Sequence, residues 1–453
     1  PMKEEMNEQN KNLNTEKNNA PFTVTVNGAD ISEFSLVCES AFCDCGEKIA
    51  QKVGQLTGAH ISKAEKAYEN GRFIVISESA AKNLDRAQVG IEISDNITIF
   101  AKEKRINDAV EFFCQSYLST DRAKNGKIEL DSADGYVGDI ISNPIAPDSC
   151  PDPFVKYVDG YYYTIFTAFD RLELYRSRHL STLINDQSKV VYKGGDNVIK
   201  ADIWAPEFYF DKGRKRWYIY SNGTLVPGDL DTQRLFCLES ETDDIFSDYH
   251  FKGLIDPDTY CIDSSPYYNE YTDTLYFSYA LIGGGQNQVC IAKMDNPFTI
   301  NEQSRRVICH AEYDWELHTG RVNEGGCFIE QGGELYLAFS ANNGDSKPYC
   351  VGLLKFLGDY KKDDLNSPEL WQKLDRPLLK AGGGIFCTGH NSFFRSPDGS
   401  ELWIAFHGRT DPAETTWHRP LCFKKAELDK DGRFIMDTTP IGAGIFFKEP
   451  SAK

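Results

Sequence analysis

The chain has 453 residues, 41 % of them hydrophobic, and a formal net charge of −19. That length can bury a sizeable core and supports two or three domains. The acidity argues against nucleic acid or an anionic membrane as a partner, because phosphates would be repelled, and it suits a neutral substrate in water.

In chain order, residues 1–21 are polar and are expected to form a disordered tail. Residues 22–130 read as a small α/β domain. Phe22 to Val26 alternates like a strand, and Phe34 to Cys38 reads as a second one. Cys45 to Leu56 has apolar residues at helical spacing. Arg72 to Ser77 is a buried strand. Gly90 to Ser94 and Ile97 to Lys102 predict a hairpin across Asp95-Asn96. Arg105 to Leu118 is an amphipathic helix. Residues 131–145 read as a linker. From residue 146 to 453 the helical signal vanishes, and short runs rich in Tyr, Phe, Trp and Ile alternate with Gly, Asp and Asn turns. No stretch approaches the roughly 20 apolar residues of a membrane span.

Within 146–453 a unit recurs: a short opener, a strand, a tight turn, then an aromatic strand. The openers are Asp152, Glu207, Asp263, Glu324 and His390, spaced 55 to 66 residues apart. That spacing suits one four-stranded blade per unit, and five blades make a mainly β fold, a five-bladed β-propeller preceded by the α/β domain. The innermost strand of each blade starts near the axis, so the openers are expected to converge on a central pocket. Paired carboxyl groups there have the chemistry for glycosidic cleavage: one protonates the leaving oxygen, and the other deprotonates an attacking water. A third acid nearby raises the pKa of the proton donor.

The strings Pro151-Asp152-Pro153-Phe154-Val155, Trp204-Ala205-Pro206-Glu207, Ile262-Asp263-Ser264-Ser265, Asn323-Glu324-Gly325-Gly326 and Gly389-His390-Asn391-Ser392, followed by His407-Gly408-Arg409, resemble in order the blade motifs of glycoside hydrolase family 43. The resemblance covers roughly residues 145 to 445. It implies that Asp152 is the general base, Glu324 the general acid and Asp263 the group that tunes Glu324. His390 matches an axial histidine that in many relatives holds a calcium or similar ion, mostly through water; a core histidine without metal is the alternative reading. No organic cofactor is implied. Arg419 matches, more loosely, an arginine that contacts sugar. Phe154, His407 and Arg409 are further expected substrate contacts, and Trp204 either packs beneath its blade or walls the sugar site. Glu207 is assigned to structure. Gly326 departs from the proline that many relatives carry.

The activity so implied is inverting release of terminal pentose or furanose sugars from oligosaccharides, as an α-L-arabinofuranosidase or β-D-xylosidase. β-Galactofuranosidase, galactanase and endo-arabinanase are alternatives within the family. A non-catalytic sugar-binding propeller is the rival of another class, and a WD-type scaffold lacks its signature. The expected partner is a glycoside, with a second copy of the chain as an option. The α/β domain faintly resembles the non-catalytic domain of β-hexosaminidase-like hydrolases, and its expected role is packing or oligomer contact. Thirteen cysteines without CxxC pairs suggest neither a disulfide framework nor a zinc site. Buried thiols and no apolar leader segment point to a cytoplasmic protein. Because Pro1 precedes Met2, secretion with the leader removed is the alternative.

Overall fold

The computed structural model describes residues 22–195, 198–413 and 416–452. The expected tail, 1–21, lies outside the described residues. The chain divides into two compact units at Ile140/Ile141.

In the first unit the strands Phe34–Cys38, Arg72–Ser77 and Ile97–Ala101 run parallel side by side. Gln88–Ile93 joins them antiparallel, with Ile93 opposite Ile97 across the expected hairpin. Two helices, Cys43–Thr57 and Ile106–Ser116, accompany the sheet. The first buries Cys45, Ile49, Val53 and Leu56, one stripe at helical spacing. It stops at Gly58, whose φ of 74° is left-handed, and the Gly58 N–H donates back to the Gly54 carbonyl. The segment 131–145, expected to be a linker, instead carries the strand Tyr136–Ser142, and Tyr136 to Asp139 pair with Gln88 to Ile91. Its alternation is too short to separate from loop by pattern alone.

The second unit is built of five antiparallel sheets in sequence order. Their innermost strands are Phe154–Val158, Ala201–Asp211, Cys261–Asn269, Asn323–Gln331 and Phe386–Arg395. Blades one to four have four strands. Blade five has three of its own, ending in Leu421–Lys425. The chain entering blade one lies along that last strand. Ile145 N–H donates to the Leu421 carbonyl, and the Asn143 side chain both donates to the Phe423 carbonyl and accepts its N–H, at 2.9 and 2.8 Å. First and last blades are thereby tied.

The strands are aromatic and β-branched because each blade buries both faces against its neighbours. Apolar clusters fill every junction. Phe154, Ile165, Leu174, Phe208 and Phe236 join blades one and two. Tyr220, Cys237, Phe277 and Tyr279 join two and three. Ile291, Leu337, Phe339 and Trp371 join three and four. Ala338, Leu353, Ile404 and Phe406 join four and five. Val155, Tyr162, Phe394 and Trp403 join five and one.

Phe236 is fully buried at the first of these junctions. Phe236→Ala is expected to cost about 3–5 kcal/mol, read as a lowered denaturant midpoint with the unfolding slope unchanged.

Candidate active site

A left-handed residue recurs at one equivalent place near the head of every inner strand. The five are Asp152 (φ 57°), Ala205 (44°), Asp263 (58°), Gly325 (58°) and His390 (46°). In blades two to five the strand register slips at this point, so each is the core of a bulge. Asp and Gly visit this region readily, whereas for Ala205 and His390 it costs about 1–2 kcal/mol each. Four of the five N–H groups are pinned by a side chain from the second-strand segment of the preceding blade. Ala205 donates to Thr167 Oγ1 at 2.7 Å, and Asp263 to Asn222 Oδ1 at 3.1 Å. His390 donates to Ser340 Oγ at 2.8 Å, and Asp152 to His407 Nδ1 at 3.1 Å.

This phase corrects the reading of the openers. Asp152, Asp263 and His390 share it. Glu324 stands one residue ahead, and Glu207 two residues behind. Asp152, Asp263 and His390 at this phase, and Trp204, Ile262 and Glu324 one residue ahead, line a cavity of about 590 Å3, together with Asn287 and Arg419. Glu207 faces away from it. It is buried beside Ser265, and burial pushes its carboxyl up to about 8, so it is a neutral structural group at pH 7.

Of the expected substrate contacts, Trp204 and Arg419 line the cavity and three do not. Phe154 is sealed in the core between blades one and two. Arg409 is buried, donating to the carbonyls of Thr416 and Asp345. His407 is fully buried and serves as the pin beneath Asp152. Alternation explains the misreading: 407 and 409 share one strand face, and that face points inward below the cleft.

The charges around Asp152 are asymmetric. One oxygen accepts from Thr167 Oγ1 at 2.6 Å. The other lies 3.3 Å from Arg419 Nη1, 3.4 Å from His390 Nδ1 and 3.5 Å from His407 Nδ1. Burial opposes ionisation here, but the contacts around the carboxylate, the Arg419 guanidinium foremost, outweigh it and hold Asp152 well below the usual carboxylate range. Burial, followed by the Arg419 charge, pushes His407 down to about 3, so its ring is neutral.

Glu324 behaves oppositely. Burial and the Asp152 charge raise it to about 7, against two hydrogen bonds that favour the anion. Asn287 Nδ2 donates to one oxygen at 2.9 Å and Tyr349 Oη to the other at 3.1 Å. Asp263 is raised well above its ordinary value by burial and by the charges of Glu324 and Asp152. The cavity therefore holds one ionised carboxylate and a buried pair that keeps protons, which is the separation acid–base chemistry requires.

Thr167, Asn287 and Tyr349 were not anticipated, since each sits in an ordinary-looking aromatic or polar run. The Tyr349 ring also stacks on His407, with centroids 5.4 Å apart and planes 6° apart. It fits because residue 389 is glycine: a Cβ there would lie 2.2 Å from the ring. Tyr349 thus touches both the acid and the pin of the carboxylate opposite.

His390 offers a poor calcium site. Its Nδ1 lies between Asp152 Oδ1 at 3.4 Å and Asp263 Oδ2 at 3.9 Å. Calcium takes about six to eight oxygens, and the oxygens facing this nitrogen belong to the carboxylates themselves. The protein supplies too few ligand atoms here to hold an ion by itself, so an ion at His390 would be held mostly through water, as the resemblance implies.

A five-bladed propeller with carboxylates of opposed protonation at its axis defines an acid–base hydrolase architecture. Residues 141–434 match the glycosyl hydrolases family 43, and the chain belongs to that family. Relatives include an extracellular exo-α-(1→5)-L-arabinofuranosidase of Streptomyces avermitilis, 30 % identical over 59 % of this chain, and an α-L-arabinofuranosidase 43 of Humicola insolens, 30 % identical over 57 %. The match spans 56 % and 54 % of those two proteins, little more than half their length. Among solved structures, an α-L-arabinofuranosidase from Lactobacillus brevis superposes with a TM-score of 0.61 at 25 % identity, covering 67 % of this chain and 98 % of that one.

Because Tyr349 donates to the Glu324 anion, Tyr349→Phe is expected to raise the Glu324 midpoint by about one pH unit above its starting value, from the usual strength of a hydrogen bond to a charge. Carboxyl 13C NMR of the labelled protein reads this directly. An unmoved or lowered midpoint would contradict the assignment.

Proposed function

We propose that the protein is an inverting α-L-arabinofuranosidase. The observation that carries this reading is the pairing of an ionised Asp152 with a protonated Glu324 in one cavity of a family 43 propeller. The sugar choice rests on the arabinofuranosidase relatives.

In the proposed reaction Glu324 gives its proton to the glycosidic oxygen as the bond to the anomeric carbon breaks. Asp152 takes a proton from water as that water adds to the opposite face. Arg419 and Thr167 fix the Asp152 carboxylate and favour its charge, and His407 holds its backbone N–H. Asn287 and Tyr349 aim Glu324. Burial and the Asp152 charge keep Glu324 protonated, and Asp263, itself held neutral, adds no charge beside them. No step passes through a metal. Trp204 is assigned to the wall of the sugar site.

The thirteen cysteines are all unpaired and eleven are buried. No helix among the described residues is long and apolar enough to cross a membrane. Secretion, as named for two relatives, is the better-supported location, and buried thiols are compatible with it because they are shielded from oxidants.

Asp152→Ala and Glu324→Ala are each expected to lower kcat on 4-nitrophenyl α-L-arabinofuranoside by roughly 10²–10⁴-fold. Glu324→Ala should be partly spared on a dinitrophenyl leaving group, which needs no proton. Glu324 must be protonated, so wild-type activity should fall as pH rises through about 7. Asp152 must be ionised, and its depressed pKa should extend activity into the acid range. Near-native turnover by either variant, faster cleavage of the β-D-xyloside than of the arabinofuranoside, or NMR evidence of retained anomeric configuration would each overturn the corresponding part of the proposal.

A further inference from the structure

A buried ion pair lies behind the strand that carries the acid. Glu316 stands in the connection from blade three to blade four, at the end of the short turn Asp314–Glu316, and is fully buried. One of its oxygens accepts from Asn323 Nδ2 and from Lys373 Nζ, both at 3.0 Å. The other accepts from the backbone N–H groups of Glu312 and Tyr313, at 3.0 and 2.9 Å, and from the same ammonium at 3.1 Å. Lys373 belongs to Trp371–Lys373, the outermost strand of blade four, and its side chain is only 5 % exposed. It also donates to the His310 carbonyl and lies 3.4 Å from Glu312 Oε1. A buried ion pair is weak evidence for stability, because well-packed apolar residues often serve a fold as well. Its surroundings indicate a positional use instead.

Three sets of contacts join this segment to the Glu324 carboxyl. The first is the chain itself. Asn323, the residue before Glu324, is fully buried, and its amide donates to Glu316 and to the Val322 carbonyl while accepting from the Cys309 thiol at 3.2 Å. The second reaches Asn287, one of the two donors to Glu324: its backbone N–H donates to the Arg321 carbonyl at 2.9 Å. The third reaches Tyr349, the other donor. The buried Asn342 accepts from the N–H groups of His318 and Thr319 at 2.9 and 3.3 Å, and donates to the carbonyls of Trp315 and Pro348 at 2.9 and 3.3 Å. Pro348 directly precedes Tyr349. The acid and both of its donors are thus hung from residues 310–323, and Glu316 fixes that segment from within by holding Glu312, Tyr313 and Asn323 together.

We propose that Glu316, clamped by Lys373, is the positioning residue for the general acid: it sets where the Glu324 carboxyl and its two donors stand, without itself touching the substrate. Asp152 is independent of it, since its contacts come from Thr167, Arg419 and His407, in blades one and five. This deepens the acid–base reading and rests on Glu324 being the proton donor. Every partner of the Glu316 carboxylate is a donor. Glu316→Gln therefore keeps the volume but turns an NH2 group against donors whichever way the amide faces, and the segment must move to relieve it.

The test compares turnover of methyl and of 2,4-dinitrophenyl α-L-arabinofuranoside by the native protein, by Glu316→Gln and by the double variant Glu316→Gln/Lys373→Met. The methyl glycoside needs a proton on its leaving oxygen, and the dinitrophenyl glycoside does not. Glu316→Gln is expected to lower kcat on the methyl glycoside by about ten- to a hundredfold, as a misplacement of about 1 Å does, with KM and the dinitrophenyl rate changed by less than about twofold. The double variant removes the buried ammonium that the single change leaves unpaired, so it should unfold at a higher temperature than Glu316→Gln while keeping the selective loss. Should Glu316→Gln not fold, the double variant carries the same comparison. Equal losses on the two substrates, no loss on either, or recovery of methyl glycoside turnover in the double variant would overturn the positioning role. If Glu324→Ala cleaves the methyl glycoside as fast as the native protein, the acid assignment fails and the positioning role with it. If the native protein cleaves neither arabinofuranoside, only the sugar assignment fails, and methyl and 2,4-dinitrophenyl β-D-xyloside decide the role of Glu316 by the same comparison.

Discussion

The site depends on one backbone feature, the left-handed residue at the head of every inner strand. It turns the chain so that a side chain at the bulge, or one residue before it, reaches the axis from every blade. Asp152, Asp263 and His390 reach the cavity from the bulge itself, and Trp204 and Glu324 from the residue before it. The strained conformation is maintained because the preceding blade supplies an acceptor for the N–H in four of five cases. The catalytic geometry is therefore a property of blade–blade contact and not of any single blade.

That dependence gives the ring closure a functional meaning. The pin beneath Asp152 is His407, which belongs to the last blade, while Asp152 opens the first. The Asn143–Phe423 pair and the apolar junction of Phe394, Trp403, Tyr162 and Val155 fix those two blades against each other. If the closure slipped by a fraction of an ångström, Asp152 would lose its pin and its Arg419 contact together, since Arg419 also comes from the last blade. A buried carboxylate without its partner carries a large desolvation penalty. The most ionised group in the cavity is thus the one placed at the seam of the ring.

Much of this was legible in the sequence because propeller signals are local. A turn every few residues, aromatic strands and a repeating opener are all readable without knowing what touches what. The three acids stood out as repeat openers, whereas Trp204 and Arg419 rested on the family resemblance, and the structure puts all five on the cavity lining. The phase itself was misjudged, because it was anchored on acidity. Glu207 looked like an opener by charge, whereas Ala205 is the backbone equivalent. Tyr349 and Thr167 were invisible for another reason. Their roles come from contacts across blades, Tyr349 Oη with Glu324 and Thr167 Oγ1 with both Asp152 and the Ala205 N–H. No pattern along one strand records such a contact. His407, Arg409 and Phe154 were over-read, as conspicuous residues near a motif that the fold uses for support.

The electrostatics follow from the same placement. Three carboxyl groups brought together at one buried site cannot all ionise. The charge settles where compensation is greatest, on Asp152, which has Arg419, two imidazoles and a hydroxyl around it. Glu324 has only neutral donors, the amide of Asn287 and the hydroxyl of Tyr349, and these moderate its rise without reversing it. Had Arg419 stood on the other side of the cavity, the same acids would have exchanged roles. The direction of the proposed proton transfers is therefore set by one cation from blade five, and the Trp417 ring that covers that cation ties the outer rim of the cavity to the charge at its floor.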